Sequence, residues 1–357
     1  MGATHHSLPL APKYHTASFQ SPGVEPDRIQ VVVPVYNDWT GLKTTLDSLI
    51  ELDPLPGFIT VANDNIDNSI PAWFRTYQDH VEIVNYYGNQ GPAYARNKGC
   101  GRMSAKIDWL YFTDCGCQHV RDLISQFINA RDRAGDSVVA ICGTVSGKGT
   151  GRINRYMTEM SILNPPFEAE LGSDGHKIPQ AIITANALVS ARAFFQVGRF
   201  STDFREAGGE DLDLGIRLRD IGELVWEPDA AVFHEFEENH KDFIKRFKRY
   251  GRGNRHLERR HNLPSLRPSS KSHHISPEIE ELQDLAKLQF KSLLKGYDRA
   301  RLGELQSITR LESIVGFSVR IRRRLQQIQD SLLGTVESHA MHLKPNSKRG
   351  RNHAESS

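Results

Sequence analysis

The chain has 357 residues, 45 Lys and Arg against 43 Asp and Glu, with 38% hydrophobic and 25% charged side chains. That balance fits a globular protein and excludes a collagen-like or largely disordered chain. The longest stretch without a charged side chain, Ile178–Ala191, is 14 residues long and carries Gln180, Thr184, Asn186 and Ser190, too short and too polar to span a bilayer as a helix. The N-terminal residues lack the basic start and apolar run of a secretory signal. Four cysteines (Cys100, Cys115, Cys117, Cys142) are too few for a disulfide scaffold and are expected to be free thiols in a reducing compartment, with the cytoplasm as the expected location.

Residues 1–27, rich in Pro, Ser and His without periodicity, read as a mobile arm. Ile29–Val33 is a β-branched run expected to form a buried strand. Thr40 is a candidate cap for a helix whose Leu42, Leu46, Leu49 and Ile50 share a face. Strands follow at Phe58–Val61, Val81–Val84 and Trp109–Phe112, separated by helical stretches near 70–77 and 92–104. This alternation predicts an α/β domain with a mainly parallel sheet flanked by helices. It runs over about 28–262. Ser276-Pro277-Glu278 is a good helix start, followed by Ile279, Leu282, Ala286, Phe290, Leu293 and Tyr297 at helical spacing. Leu311, Ile314, Phe317, Ile321, Leu325, Ile328 and Leu332 mark a second amphipathic helix. A helical appendage is therefore expected over 263–342, with a disordered tail at 343–357.

Charge is unevenly spread. Residues 241–357 hold 25 Lys and Arg against 12 Asp and Glu, whereas 1–240 hold 20 against 31. The basic end, with Arg322-Arg323-Arg324, suits either an acidic membrane surface on the cytoplasmic side or a homodimer contact. No helix-turn-helix, zinc-finger or RNA-binding signature accompanies it, so nucleic acid is not an expected partner.

Parallel sheets place ligands at the carboxyl ends of their strands, and those ends are polar here. Pro34, Tyr36, Asn37 and Asp38 follow the first strand. Asn63, Asp64 and Asp67 follow the second. Asn85, Asn89, Gln90 and Gly91 follow the third, and Thr113, Asp114 and Cys115 the fourth. One binding cleft is expected.

In order along the chain, VVVPVYND, ITVANDNIDNS, NQGPAYARNKG, YFTDCGC, ITANALVSARAFFQVGRF and GGEDLDLGIRLRDIG resemble the motifs of family 2 glycosyltransferases of the GT-A fold, over about Arg28–Asn262. The resemblance implies an inverting transfer of a sugar, with UDP the expected nucleotide, from a nucleotide-sugar donor to a hydroxyl of a carbohydrate, lipid-linked or small-metabolite acceptor. It implies Asp211 as general base, with Glu210 beside it as a positioning or competing carboxylate. It implies a nucleotide pocket from Pro34, Tyr36, Asn37, Asn63, Asp64, Asn89, Gly91, Arg96, Asn97 and Asp114. Gly91 would let backbone approach the ligand, and Arg96 would neutralise phosphate. A divalent metal, Mn2+ or Mg2+, is implied at Asp114, with His234 as its companion ligand.

Two motifs depart from the pattern. Ala62 and Asn63 stand where the family has two acids, and Asp114-Cys115-Gly116 lacks the second acid of D-x-D. A hard divalent ion takes most of its six oxygens from diphosphate and water in such sites, so Asp114 suffices in principle. Cys115 or Cys117 as a ligand would favour a softer metal. The departures also motivate a rival reading, a degenerate fold that binds nucleotide or carbohydrate without turnover. A nucleotidyl enzyme on a similar sheet is a further rival, one with no need of the G-E-D acids. Gly147–Gly151 and the stretches near 164–166 and 172–175 are expected to be loops, the first lacking P-loop spacing.

Overall fold

A computed structural model describes residues 8–10, 19–67, 69–86, 88–102, 106–172, 177–236, 239–269, 275–304 and 307. The strands are β1 (Ile29–Val35), β2 (Phe58–Asn63), β3 (Val81–Asn85), β4 (Trp109–Thr113), β5 (Cys117–His119), β6 (Val138–Lys148), β7 (Phe167–Leu171), β8 (Lys177–Pro179), β9 (Asn186–Ser190) and β10 (Glu223–Glu235). The helices are α1 (Trp39–Leu49), α2 (Pro92–Gly99), α3 (Leu123–Ala134), α4 (Arg152–Glu159), α5 (Ala191–Gln196), α6 (Glu210–Leu218), α7 (His240–Arg260) and α8 (283–300).

Eight strands form one sheet in the order β3-β2-β1-β4-β9-β6-β10-β5, and β7 pairs with β8 apart from it. β1–β2, β1–β4, β2–β3 and β6–β10 are parallel, while β9 lies antiparallel between β4 and β6 and β5 antiparallel on β10. The alternation of strand side chains divides the core in two. Val31, Val33, Ile59, Val61, Trp109 and Tyr111 pack with Leu42, Leu46 and Leu49 of α1 and Phe127 of α3 on one face. Val32, Leu110, Phe112 and Val139 pack with Ala93 of α2, Phe194 of α5 and Leu214 of α6 on the other. Covering both faces is what allows β1 to be apolar at nearly every position. The cap of α1 is Asp38, whose carboxylate accepts the Gly41 N–H at 2.8 Å, two residues earlier than the expected Thr40.

The N-terminal arm departs from expectation. Phe19 and Val24 are buried in the two core layers, the Ser21 N–H donates to the Asp136 carbonyl, and Leu8 is buried with its N–H on Gln180. An apolar side chain every few residues was enough to anchor a segment whose composition reads as unstructured. The C-terminal boundary also moves. Ile279, Leu282, Leu285 and Ala286 pack with Tyr156 and Met157 of α4 and Phe243 and Phe247 of α7, and the chain divides into compact units at 1–300 and 301–357. The stretch at Pro277–Leu282 is a 3-10 turn leading into α8. The amphipathic run from Leu311, Arg322-Arg323-Arg324 and the 343–357 tail lie outside the described residues. Among the described residues no helix is long and apolar enough to cross a membrane, and the four cysteines are free.

Candidate active site

Loops leaving a parallel sheet carry backbone N–H groups that have lost their ladder partners. Here short polar side chains supply the acceptors. Asn63 Nδ2 donates to Asn85 Oδ1 at 2.7 Å, and Asn63 Oδ1 accepts both the N–H and the Nδ2 of Asn65 at 3.1 and 2.7 Å. Asn65 Oδ1 in turn accepts the N–H of Asn37 at 2.6 Å, holding Asn37 at a positive φ of 54°. Asp64 accepts the N–H groups of Gln90 and Gly91 at 3.0 and 2.9 Å, while burial pushes its carboxyl above the usual range against those two bonds. Asn63 and Asp64, expected to face a nucleotide, are buried and engaged in fixing the ends of β1, β2 and β3. Asn65 was not singled out in the sequence, although its alternation with Asn63 directly after a strand is the signal of such a ladder. Tyr36, Asn37 and Asn89 are exposed at these ends, and Pro34 is half-buried within β1.

The Gly91–Asn97 segment faces the loop that precedes α6. A Cβ on Gly91, whose φ is 90°, would lie 2.2 Å from the Arg205 carbonyl oxygen, so the close approach is to the protein's own backbone. Asn97 grips Phe200 twice, donating from Nδ2 to its carbonyl at 2.9 Å and accepting its N–H at 3.1 Å. Arg96, 3% exposed, donates from one terminal nitrogen to Asp114 Oδ1 at 2.7 Å and from the other to Glu210 Oε1 at 3.1 Å. Its guanidinium lies 5.6 Å from the Phe200 ring centre.

α6 begins after Gly208 and Gly209, at φ 144° and 100°. Glu210 is buried, with its second oxygen accepting the Gly208 N–H at 2.7 Å. Asp211, one position on and so about 100° around the helix, is half-buried. Its Oδ1 accepts the Leu212 N–H at 2.9 Å. Burial and the neighbouring Glu210 push its carboxyl up to about 7, with Arg96 opposing. A carboxyl poised near neutrality suits proton transfer.

At the end of β4, the Asp114 carboxylate is about one-third exposed and its carbonyl accepts Thr45 Oγ1. β5 and β10 pair His234 with Cys117, and the ring of His234 lies 3.6–3.7 Å from where a Cβ on Gly116 would stand. A side chain at the second-acid position would therefore meet this imidazole. His234 Nδ1 contacts the Glu235 carbonyl at 3.0 Å and the ring stacks on Phe236. Among the described residues no three His, Cys, Asp or Glu side chains gather at one point. The turn after β4 thus offers the Asp114 carboxylate, with the His234 imidazole beside Gly116, ligand types that suit a hard or borderline divalent ion when substrate and water supply the rest. Cys115 and Cys117 do not join it: their thiols donate to the Pro34 and Ala185 carbonyls, and burial holds both protonated.

Asn186, in the ITANALVS segment, is a buried strand cross-link, bonded to Tyr111, Thr144 and Ala230. Lys148 ends β6 and donates to Gln118 at 2.6 Å, in a turn without a phosphate cradle.

Residues 30–195 match the family model described as glycosyl transferase family 2. The matched residues carry the sequence pattern of that family. The chain is 25% identical over 228 residues to polypeptide N-acetylgalactosaminyltransferase 4 of Mus musculus, covering 58% of the chain and 39% of that protein. It is 26% identical over 225 residues to a pre-mycofactocin glycosyltransferase of Mycobacterium tuberculosis, covering 62% and 46%. The chain thus spans less than half the length of either relative. Among solved structures, a mannosyltransferase from Pyrobaculum calidifontis in complex with GDP-Man and Mn2+ superposes with a TM-score of 0.46 at 15% identity, covering 84% of each chain.

Proposed function

We propose that the chain is an inverting glycosyltransferase that moves a sugar from a nucleotide-sugar donor, UDP-linked by preference, to an acceptor hydroxyl. The observation that carries this reading is the pairing, on the single buried guanidinium of Arg96, of Asp114 from a strand end with Glu210 beside Asp211. Donor-side and acceptor-side carboxylates are thereby held in one cleft.

In the proposed reaction the Asp211 carboxylate takes the acceptor hydroxyl proton. The oxygen then bonds to the anomeric carbon from the face opposite the donor diphosphate. The bond to the diphosphate breaks, and its electron pair leaves with the nucleotide. Asp114 and His234 would hold a divalent ion, which when bound offsets the charge growing on the diphosphate. Glu210 is a positioning carboxylate, since both its oxygens are engaged within the protein. Tyr36, Asn37 and Asn89, exposed at the strand ends, are the proposed nucleotide contacts.

Calorimetric titration with UDP, and separately with GDP, with and without Mn2+, tests the reading. Binding at about 10–100 μM, roughly −7 to −5.5 kcal/mol, that requires the ion and is lost in Asp114→Ala supports it, and turnover with the matching sugar nucleotide completes it. Binding without turnover across a donor and acceptor panel would favour the degenerate-fold reading prompted by Ala62 and Gly116.

A further inference from the structure

Three residues of the Gly91–Asn97 segment converge on one target. Gly91 abuts the Arg205 backbone, Asn97 holds the Phe200 backbone at two points, and Arg96 lies against the Phe200 ring while bonding Glu210. Together they grip the beginning, middle and end of residues 200–210, the loop that delivers Asp211. We propose that Arg96 is a positioning residue: it ties Asp114 on the donor side to Glu210 on the acceptor side, sets the 200–210 loop between them, and does not itself bind the nucleotide. This rests on the transferase reading for its catalytic consequence, though not for its structural one.

The chain of contacts runs without a gap. Arg96 donates to Glu210, and Glu210 accepts the Gly208 N–H. Gly208 and Gly209 hold backbone conformations that L side chains rarely adopt, so this stretch has no helical or strand ladder of its own. Glu210 supplies the missing acceptor, and a carboxylate this buried needs a cation. Arg96 is that cation. Its rigid fork lets the two terminal nitrogens reach two acids at once, which the single ammonium of Lys does not reproduce. Each terminal nitrogen thus gives an N–H to a carboxylate, and the side chain is only 4% exposed, so the guanidinium is not open to a phosphate arriving from solvent.

The test compares Arg96→Gln, Arg96→Lys and Glu210→Gln with the wild-type chain by amide hydrogen exchange, nucleotide calorimetry and steady-state kinetics. Exchange at residues 206–209 should speed up by about tenfold or more in Arg96→Gln and in Glu210→Gln, with the β1 and β4 amides unchanged. The Kd for UDP or GDP with Mn2+ should stay within about threefold of wild type. Turnover should fall by about a hundredfold while the donor KM holds, as expected when a reacting group is displaced by an ångström, and Arg96→Lys should recover part of both exchange protection and kcat. A tenfold or greater loss of nucleotide affinity with unchanged exchange would make Arg96 a phosphate ligand and overturn the proposal. Should Arg96→Gln fail to fold, Glu210→Gln decides by the same exchange readout. A wild-type chain without transfer activity would sink the transferase reading and leave the exchange experiment to judge Arg96 alone.

Discussion

Gly253 of α7 and Gly208 ahead of α6 meet backbone to backbone: a Cβ on Gly253 would lie 2.2 Å from the Gly208 carbonyl oxygen. On its other side α7 is as close to α8, where a Cβ on Gly251 would lie 2.0 Å from the Leu293 oxygen and one on Gly296 2.1 Å from the Lys248 oxygen. α7 is therefore wedged between α8 and the loop that leads to Asp211. Arg249 Nε adds a bond to the Ala207 carbonyl at 3.3 Å. Gly253→Ala should cost about 1–3 kcal/mol of stability through overpacking, despite a helix-propensity gain of roughly 1 kcal/mol. Denaturant unfolding checks this, with Gly101→Ala, where no atom of the described residues lies within 4 Å, expected within about 0.5 kcal/mol of wild type. An unchanged midpoint for Gly253→Ala would show that the contact has slack.

Asp211→Asn should lower kcat by about 10²–10⁴-fold, or roughly 3–5.5 kcal/mol of transition-state stabilisation, with nucleotide affinity intact. A loss under about tenfold removes Asp211 from the role of base.

The raised carboxyl of Asp211 also has a sign. As a base it must be unprotonated, so kcat/KM should climb with pH through about 7, and the limb should vanish in Asp211→Asn. For folding the dependence is opposite. A carboxyl whose folded pKa exceeds its unfolded value binds more protons in the native state, so its contribution is present below the ordinary carboxylate range and lost as pH rises through about 7. Wild type minus Asp211→Asn stability, measured from pH 4 to 8, should therefore fall with pH. A flat difference contradicts the assignment.

Asp213, fully buried, accepts from Arg217, Arg260 and His261 and so ties α6 to α7. These partners hold its carboxyl below the usual range despite burial. Asp213→Ala leaves the cations without their partner and should cost on the order of 3–5 kcal/mol. For the wild type, this contribution is present above the ordinary carboxylate range and lost as pH falls through the lowered value. Acid titration of the variant that tracks wild type would argue against it.

His234→Ala tests the metal site. With Mn2+ present, nucleotide affinity should drop by about ten- to hundredfold, the scale seen when a group supporting a metal is lost. Without the ion the two proteins should bind alike. A variant that keeps full metal-dependent affinity would leave Asp114 as the sole protein ligand.

The parallel core was legible because β-branched and aromatic runs such as Ile29–Val33 and Trp109–Phe112 are buried on both faces, and composition alone marks such strands. The polar segments at the strand ends were legible in the same way, by position after each strand. What the letters could not convey was direction. Asn63, Asp64 and Asn97 are the right chemistry for a nucleotide pocket, yet each spends its hydrogen bonds on a neighbouring loop. For Asn97 the three-dimensional path of residues 200–210 beside α2 decides this; for Asn63 and Asp64 the meeting of the β2 end with the end of β3 and the loop after it does. Similarly, nothing in the composition of residues 19–24 announces that Phe19 and Val24 complete the core.

The placement of β9 also governs how the chain emerges from the ribosome. β6 pairs only with β9 and β10, so its apolar stretch Val138–Cys142 has both edges open until synthesis has passed Ser190, and the second edge closes only with β10. Long-range pairing of this kind folds slowly, and an apolar strand with open edges is a template for aggregation. Translation products that stop short of Glu235 should accumulate as insoluble or chaperone-bound material, whereas a chain completed through β10 buries the strand for good.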